Sequence, residues 1–115
     1  MSTRAQIRFA TRETGQSFNQ HPSVIHAQFY KHHDGYPEGL GIDIAESLLD
    51  STKIKNWEIE HLDTKHCDLE YIYYIWQKPE CEAFISIFEV HPFLDQIGEC
   101  IFVGNSQKLL KKFKI

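Results

Sequence analysis

What this chain lacks narrows it quickly. No run approaches the roughly 20 apolar residues that span a bilayer, and the first residues, Met1-Ser2-Thr3-Arg4-Ala5-Gln6, have no apolar leader segment. The expectation is a cytoplasmic protein without a membrane partner. Cysteine is scarce: Cys67, Cys81 and Cys100 are three, with no C-x-x-C, which suits free thiols in a reducing compartment. There is no H-E-x-x-H, no G-x-S-x-G, and Gly35, Gly39 and Gly41 are spaced wrongly for a phosphate or dinucleotide loop. Excess positive charge is missing as well. The net charge is −4, and Lys108, Lys111, Lys112 and Lys114 set apart leave −8 for the rest of the chain. Such a body argues against nucleic acid, whose affinity comes mostly from neutralised phosphates.

What is present is apolar and aromatic. At 42% hydrophobic and 13% aromatic, 115 residues can build one core, and the expectation is a single domain over 1–115. Ala5 to Thr11 alternates, with Ile7 and Phe9 on one side and Arg8 and Arg12 on the other. That is the pattern of a half-buried strand. Val24 to His33 alternates again: Ile25, Ala27 and Phe29 against His26, Gln28, Tyr30 and His32. The two strands are expected to pair antiparallel. Leu40, Ile44, Ala45, Leu48 and Leu49 form a helical stripe opposite Asp43, Ser47 and Asp50. Trp57 to Leu62 reads as a third strand. Leu69–Gln77 and Ala83–Val90, apolar on both faces around Lys78-Pro79-Glu80, read as a hairpin at the centre of the sheet. Cys100 to Val103 is a short strand, and Ser106 caps a last helix with Leu109, Leu110 and Phe113 inward. The fold class is α+β: a mostly antiparallel sheet of five or six strands, one main helix on one face and a short C-terminal helix.

One stretch concentrates polar chemistry. Tyr30-Lys31-His32-His33-Asp34-Gly35-Tyr36-Pro37-Glu38 joins the second strand to the main helix. Asp34-Gly35 is a turn dipeptide, and Gly35 is expected to supply positive φ. Pro37 suits a first helical position, and Glu38 sits where the helix dipole favours an anion. The candidate binding residues are His26, Tyr30, His32, His33, Asp34, Tyr36 and Glu38.

Two chemistries fit them. The first is a non-catalytic binding surface for a host protein or a small-molecule ligand, with no cofactor. The alternative is a metal-dependent or histidine-based phosphoester hydrolase, because two imidazoles and a carboxylate can ligate a cation or exchange protons near neutral pH. No ligand spacing here is diagnostic, so no metal is assigned. A second set, His66, Cys67 and Cys81, would need opposite ends of the hairpin to meet around one ion. Tyr71, Tyr73, Tyr74 and Trp76 lack interleaved arginines and read as core rather than as a base-stacking platform.

Ser2-Thr3-Arg4-Ala5-x-Ile7, then His32-x-Asp34-Gly35-Tyr36-Pro37, then Asp68-Leu69-Glu70-Tyr71-x-Tyr73, resemble in order the motifs of a family of small phage and prophage proteins. The resemblance covers about the first third of the chain and one later strand. It implies a mobile-element origin and a cytoplasmic setting, and no particular activity. Where the family often has an aromatic beside Asp-Gly, this chain has His33.

Overall fold

The computed structural model describes residues 3–11, 22, 24–49, 57–62, 64, 66, 69–77, 84–91 and 96–114. Cys67, Cys81, Asp50 and the Lys78-Pro79-Glu80 turn lie outside them, and with them the second metal-ligand set.

The described strands are β1 (Arg4–Thr11), β2 (Val24–Lys31), β3 (Glu58–Glu60), β4 (Leu69–Gln77), β5 (Phe84–His91) and β6 (Gln96–Asn105). They form one sheet in the order β3-β2-β1-β4-β5-β6. Only β1 and β4 run parallel; the other neighbours are antiparallel, as expected for β1 with β2 and for β4 with β5. The chain is thus α+β with a mostly antiparallel sheet.

The centre of the sheet differs from expectation. It is the β1–β4 pair, and β5 stands one place in from the edge. The polar residues of β1 concealed this. Gln6 is fully buried, yet its amide reaches Glu60 Oε1 at 2.8 Å and the Thr64 carbonyl at 3.1 Å. A satisfied polar side chain can line an interior face as well as an apolar one.

Bulges set which residue faces which way. Phe9 pairs with Ala27 but Ala10 with Ile25, so His26 is the extra residue on β2. Past it, Ile25 turns to the face opposite Ala27 and Phe29 and packs against the cluster of Tyr30, Tyr74 and Trp76. Strict alternation had put Ile25 with Phe29; one inserted residue inverts every side chain beyond it.

The main helix opens on a wide π-helical turn, Pro37–Gly41, and continues as α1 (Ile42–Leu49). Pro37 stands at its start, as read from the sequence. Leu40, Ile44 and Ala45 are fully buried against Ile7, Tyr73, Ile75, Ile85 and Ile87. Leu48 is partly buried, whereas Leu49 is exposed and Ser47 is buried, its hydroxyl donating to the Ile44 carbonyl at 2.8 Å. At about 100° per residue Leu49 lies roughly 140° around the helix from Ile44 and Ser47 only about 60°. The buried arc therefore takes the serine and leaves out the leucine.

Helix α2 (Ser106–Phe113) follows β6 directly and packs on the same side of the sheet as α1. Its N-cap is Asn105, whose Oδ1 accepts from the Lys108 amide at 2.9 Å; Ser106 is the first helical residue. Leu109 is fully buried, and Phe113 meets Phe102 edge-on at 5.8 Å. Tyr73, Tyr74 and Trp76 are core residues, as expected.

Candidate functional site

The loop between β2 and the main helix is held at its middle by backbone groups. The Gly35 amide donates to the Thr3 carbonyl at 2.9 Å, and the Gly35 carbonyl accepts from the Tyr73 phenol at 2.6 Å. Burial first, then the neighbouring Tyr71 and Glu38, push the Tyr73 phenol well above its ordinary range, so it stays a donor. The Leu40 amide closes the far side onto the Asp34 and Tyr36 carbonyls at 3.0 and 2.9 Å.

The division of labour within Asp34-Gly35 is the reverse of the expectation. Asp34 takes the left-handed conformation, with φ 57, and is the one non-glycine residue among those described to do so. Aspartate and asparagine tolerate this region better than other side chains. Gly35 is needed for space: a Cβ there would stand 2.8 Å from Ala5 Cβ and 2.9 Å from the Thr3 carbonyl. The glycine lets the loop press directly onto the start of β1.

On this fixed backbone His32, His33, Asp34, Tyr36 and Glu38 are exposed. His32 Nε2 meets Glu58 Oε2 at 3.0 Å, both side chains about half or more in water, and its ring packs edge-on against Tyr30 at 4.5 Å. The His33 ring centre lies 6.3 Å from that of His32. Lys31, His32, His33, Asp34 and Glu58 line a cleft of about 460 Å³. The Tyr36 hydroxyl is 3.5 Å from Asp34 Oδ1, too long for a strong bond. Burial first, then the charges of Glu89, Glu38 and Glu70, raise the Tyr71 phenol above its ordinary value.

Two candidates leave the site. His26 bonds Thr11 Oγ1 and lines a separate cleft of about 220 Å³ with His61. Six residue steps of extended chain, roughly 20 Å, separate it from His32. Tyr30 is buried, with the His66 ring stacked on it at 3.8 Å; it supports His32 from behind. Two residues enter that sequence reasoning missed, Lys31 and Glu58. Glu58 arrives because β3 pairs with β2 in the register Tyr30 to Glu58. A strand of three residues gives too little pattern for that register to be read.

Chemically, the cleft offers one imidazole–carboxylate pair, a second imidazole, a carboxylate and the nearly buried Lys31. Among the described residues no three His, Cys, Asp or Glu converge as a set able to hold a metal ion. No described helix is long and apolar enough to cross a membrane. Compared with family models, with curated proteins and with solved structures, the chain matches none.

Proposed function

We propose that this chain is a small non-catalytic binding protein of phage or prophage origin, acting in the cytoplasm through the 32–38 loop and the adjoining sheet edge. One observation carries the reading. The loop backbone is fixed at Gly35 to Thr3, just ahead of β1, and to Tyr73 of β4, while His32, His33, Asp34, Tyr36 and Glu38 stay open to solvent. A surface whose backbone is ordered before contact loses little entropy on binding, and shaped loops on a rigid sheet are where recognition residues gather. The charge is mixed, which suits a host protein or a polar small molecule.

The second reading, a histidine-based phosphoester hydrolase, rests on the His32–Glu58 pair at 3.0 Å. A carboxylate that orients an imidazole is the arrangement of a general base. Lys31 and His33 in the same cleft could meet a phosphate, but no serine, threonine or cysteine among the described residues lines it.

The test is capture from bacterial host lysate with wild type and a His33→Ala/Tyr36→Ala variant. Both side chains are exposed, so the variant should melt with the wild type. A partner retained by wild type and lost by the variant is the expected result. Turnover of a simple phosphodiester that disappears in His32→Ala would replace binding with the hydrolase reading.

A further inference from the structure

The lysines near the end of the chain play no part in the loop site. Lys114 pairs with Glu46 at 3.5 Å. Lys108, Lys111 and Lys112 are exposed on α2 and have no carboxylate partner among the described residues. Lys112 Nζ stands 5.9 Å from the centre of the Phe102 ring and 5.6 Å from that of Phe113. Lys108 lies along β6, where a Cβ on Gly104 would meet its Cβ at 3.2 Å. Beside them runs a groove of about 430 Å³ lined by Cys100, Ile101, Phe102, Val103 and Lys112.

The groove follows the outermost strand. Among the described strands β6 pairs with β5 alone, and Val103 at its end is 37% exposed. Edge strands are commonly blunted by lysines of their own. β6 has none between Gln96 and Asn105, and its bulges against β5, another blunting device, lie on the Gln96 side of Phe102, so Phe102–Asn105 is the regular stretch of edge. Its neighbouring cations come from α2 and stand alongside the strand.

We infer that β6 and α2 form a second docking surface, separate from the loop, for an extended acidic segment of a partner protein. The segment adds beside β6 as one more strand. The strand edge supplies main-chain hydrogen bonds, Ile101 and Val103 supply apolar contact, and Lys108 and Lys112 receive carboxylates. This combination of ladder and side-chain pockets is the recognition mode of strand addition. Nucleic acid suits the surface less, because a strand edge gives phosphates no ladder partner. A second copy, whose body is itself acidic, is the competitor that the test must separate.

The full chain, isotopically labelled, is titrated with a blocked peptide of alternating glutamate and valine. Controls are the same peptide with lysine for glutamate and a short thymidine oligonucleotide of equal charge. The acidic peptide should shift the amides of Ile101 and Val103, with an affinity that falls as salt rises. Lys112→Glu should weaken it about tenfold or more, since it sets like charges face to face, while Lys114→Glu should leave it unchanged. The inference is overturned if the peptide shifts nothing at millimolar concentration, if the oligonucleotide binds as tightly, or if the two variants behave alike. It is overturned equally if the shifts fall on the 32–38 loop. An oligomer of wild type that dissociates in Lys112→Glu would give the groove to a second copy instead.

Discussion

The two faces of this sheet are built from different materials. Under the helices lie Ala5, Ile7, Ile75, Ile85 and Ile87, closed by Leu40, Ile44, Ala45 and Leu109, with the Tyr73 hydroxyl as a buried polar tip directed at the loop. The opposite face carries Gln6, Arg8, Gln28, Tyr74 and Ser86 among its aromatics. There Gln6 and Gln28 both donate to Glu60 Oε1 at 2.8 Å, and Arg8 reaches the Tyr74 hydroxyl at 3.1 Å and Gln6 Oε1 at 2.9 Å. Trp76 donates to the Ser86 hydroxyl at 2.7 Å, and His66 meets Glu60 Oε2 at 2.8 Å. Apolar burial is non-directional and follows area, so the helix face tolerates swaps of similar volume. Hydrogen-bond networks are directional, so the polar face fixes register and tolerates little. The candidate loop is anchored from the helix face and reaches around the end of the sheet toward β3, so it joins the two.

The comparison breaks most sharply at Ile44. Ile44→Asp places an unpaired charge in the apolar layer and should cost about 3 kcal/mol or more, read as a fall in the urea midpoint. A variant that melts with the wild type would show that the layer under the helices is not a closed apolar core. Next in size is Gly35→Val. The added side chain would press on Ala5 and the Thr3 carbonyl, and overpacking of this kind costs about 1–3 kcal/mol. Loss of the Thr3 and Tyr73 bonds, seen as faster exchange of the Gly35 amide, should accompany it.

How much of this was legible beforehand follows from the same contrast. Apolar periodicity located the main helix, its start at Pro37 and the burial of Leu40 and Ile44. It also found β4, β5 and the antiparallel pairing of β1 with β2, because a non-directional force leaves a regular pattern. The polar face left no such pattern. Gln28 stood opposite the apolar residues of its strand and Gln6 carried no signal, and their shared carboxylate, brought by β3 from 32 residues beyond Gln28, satisfies both in the interior. The bulge at His26 is likewise silent in sequence, and it moved Ile25 from its expected face. At the loop, the dipeptide signal found the turn but not which residue bends. The reason for Gly35 is a contact with Ala5 and Thr3, which local sequence does not show.

Glu60→Ala examines the directional face. Gln6 and Gln28 would each lose one acceptor but keep the Thr64 carbonyl, and Gln28 also that of His61. The expected cost is therefore moderate, about 1–2 kcal/mol. The network has little slack, since Arg8 Nε and Gln28 Oε1 are already buried without a partner among the described residues. The readout that separates direction from bulk is Glu60→Leu, which restores apolar volume without an acceptor. If Glu60→Leu were as stable as wild type, the polar face would be ordinary packing and the contrast between faces would fall.

The smallest expected effect is at Asp34, where shape and charge come apart. The residue holds φ 57 and lines the cleft. Asparagine adopts the left-handed region as readily as aspartate, and the Asp34 carbonyl that closes the helix turn is unaffected by the side chain. Asp34→Asn should thus shift stability by no more than about 0.5 kcal/mol, the range of ordinary surface substitutions. Asp34→Val should cost roughly 1–3 kcal/mol, because a branched side chain is strained at positive φ. The pair of variants divides the residue's two roles. If Asp34→Asn folds like wild type and still binds the captured partner, Asp34 serves the loop by conformation. If it folds equally well but loses the partner, the carboxylate itself is a contact. A loss of stability in Asp34→Asn as large as in Asp34→Val would mean that the charge, not the backbone angle, holds the turn.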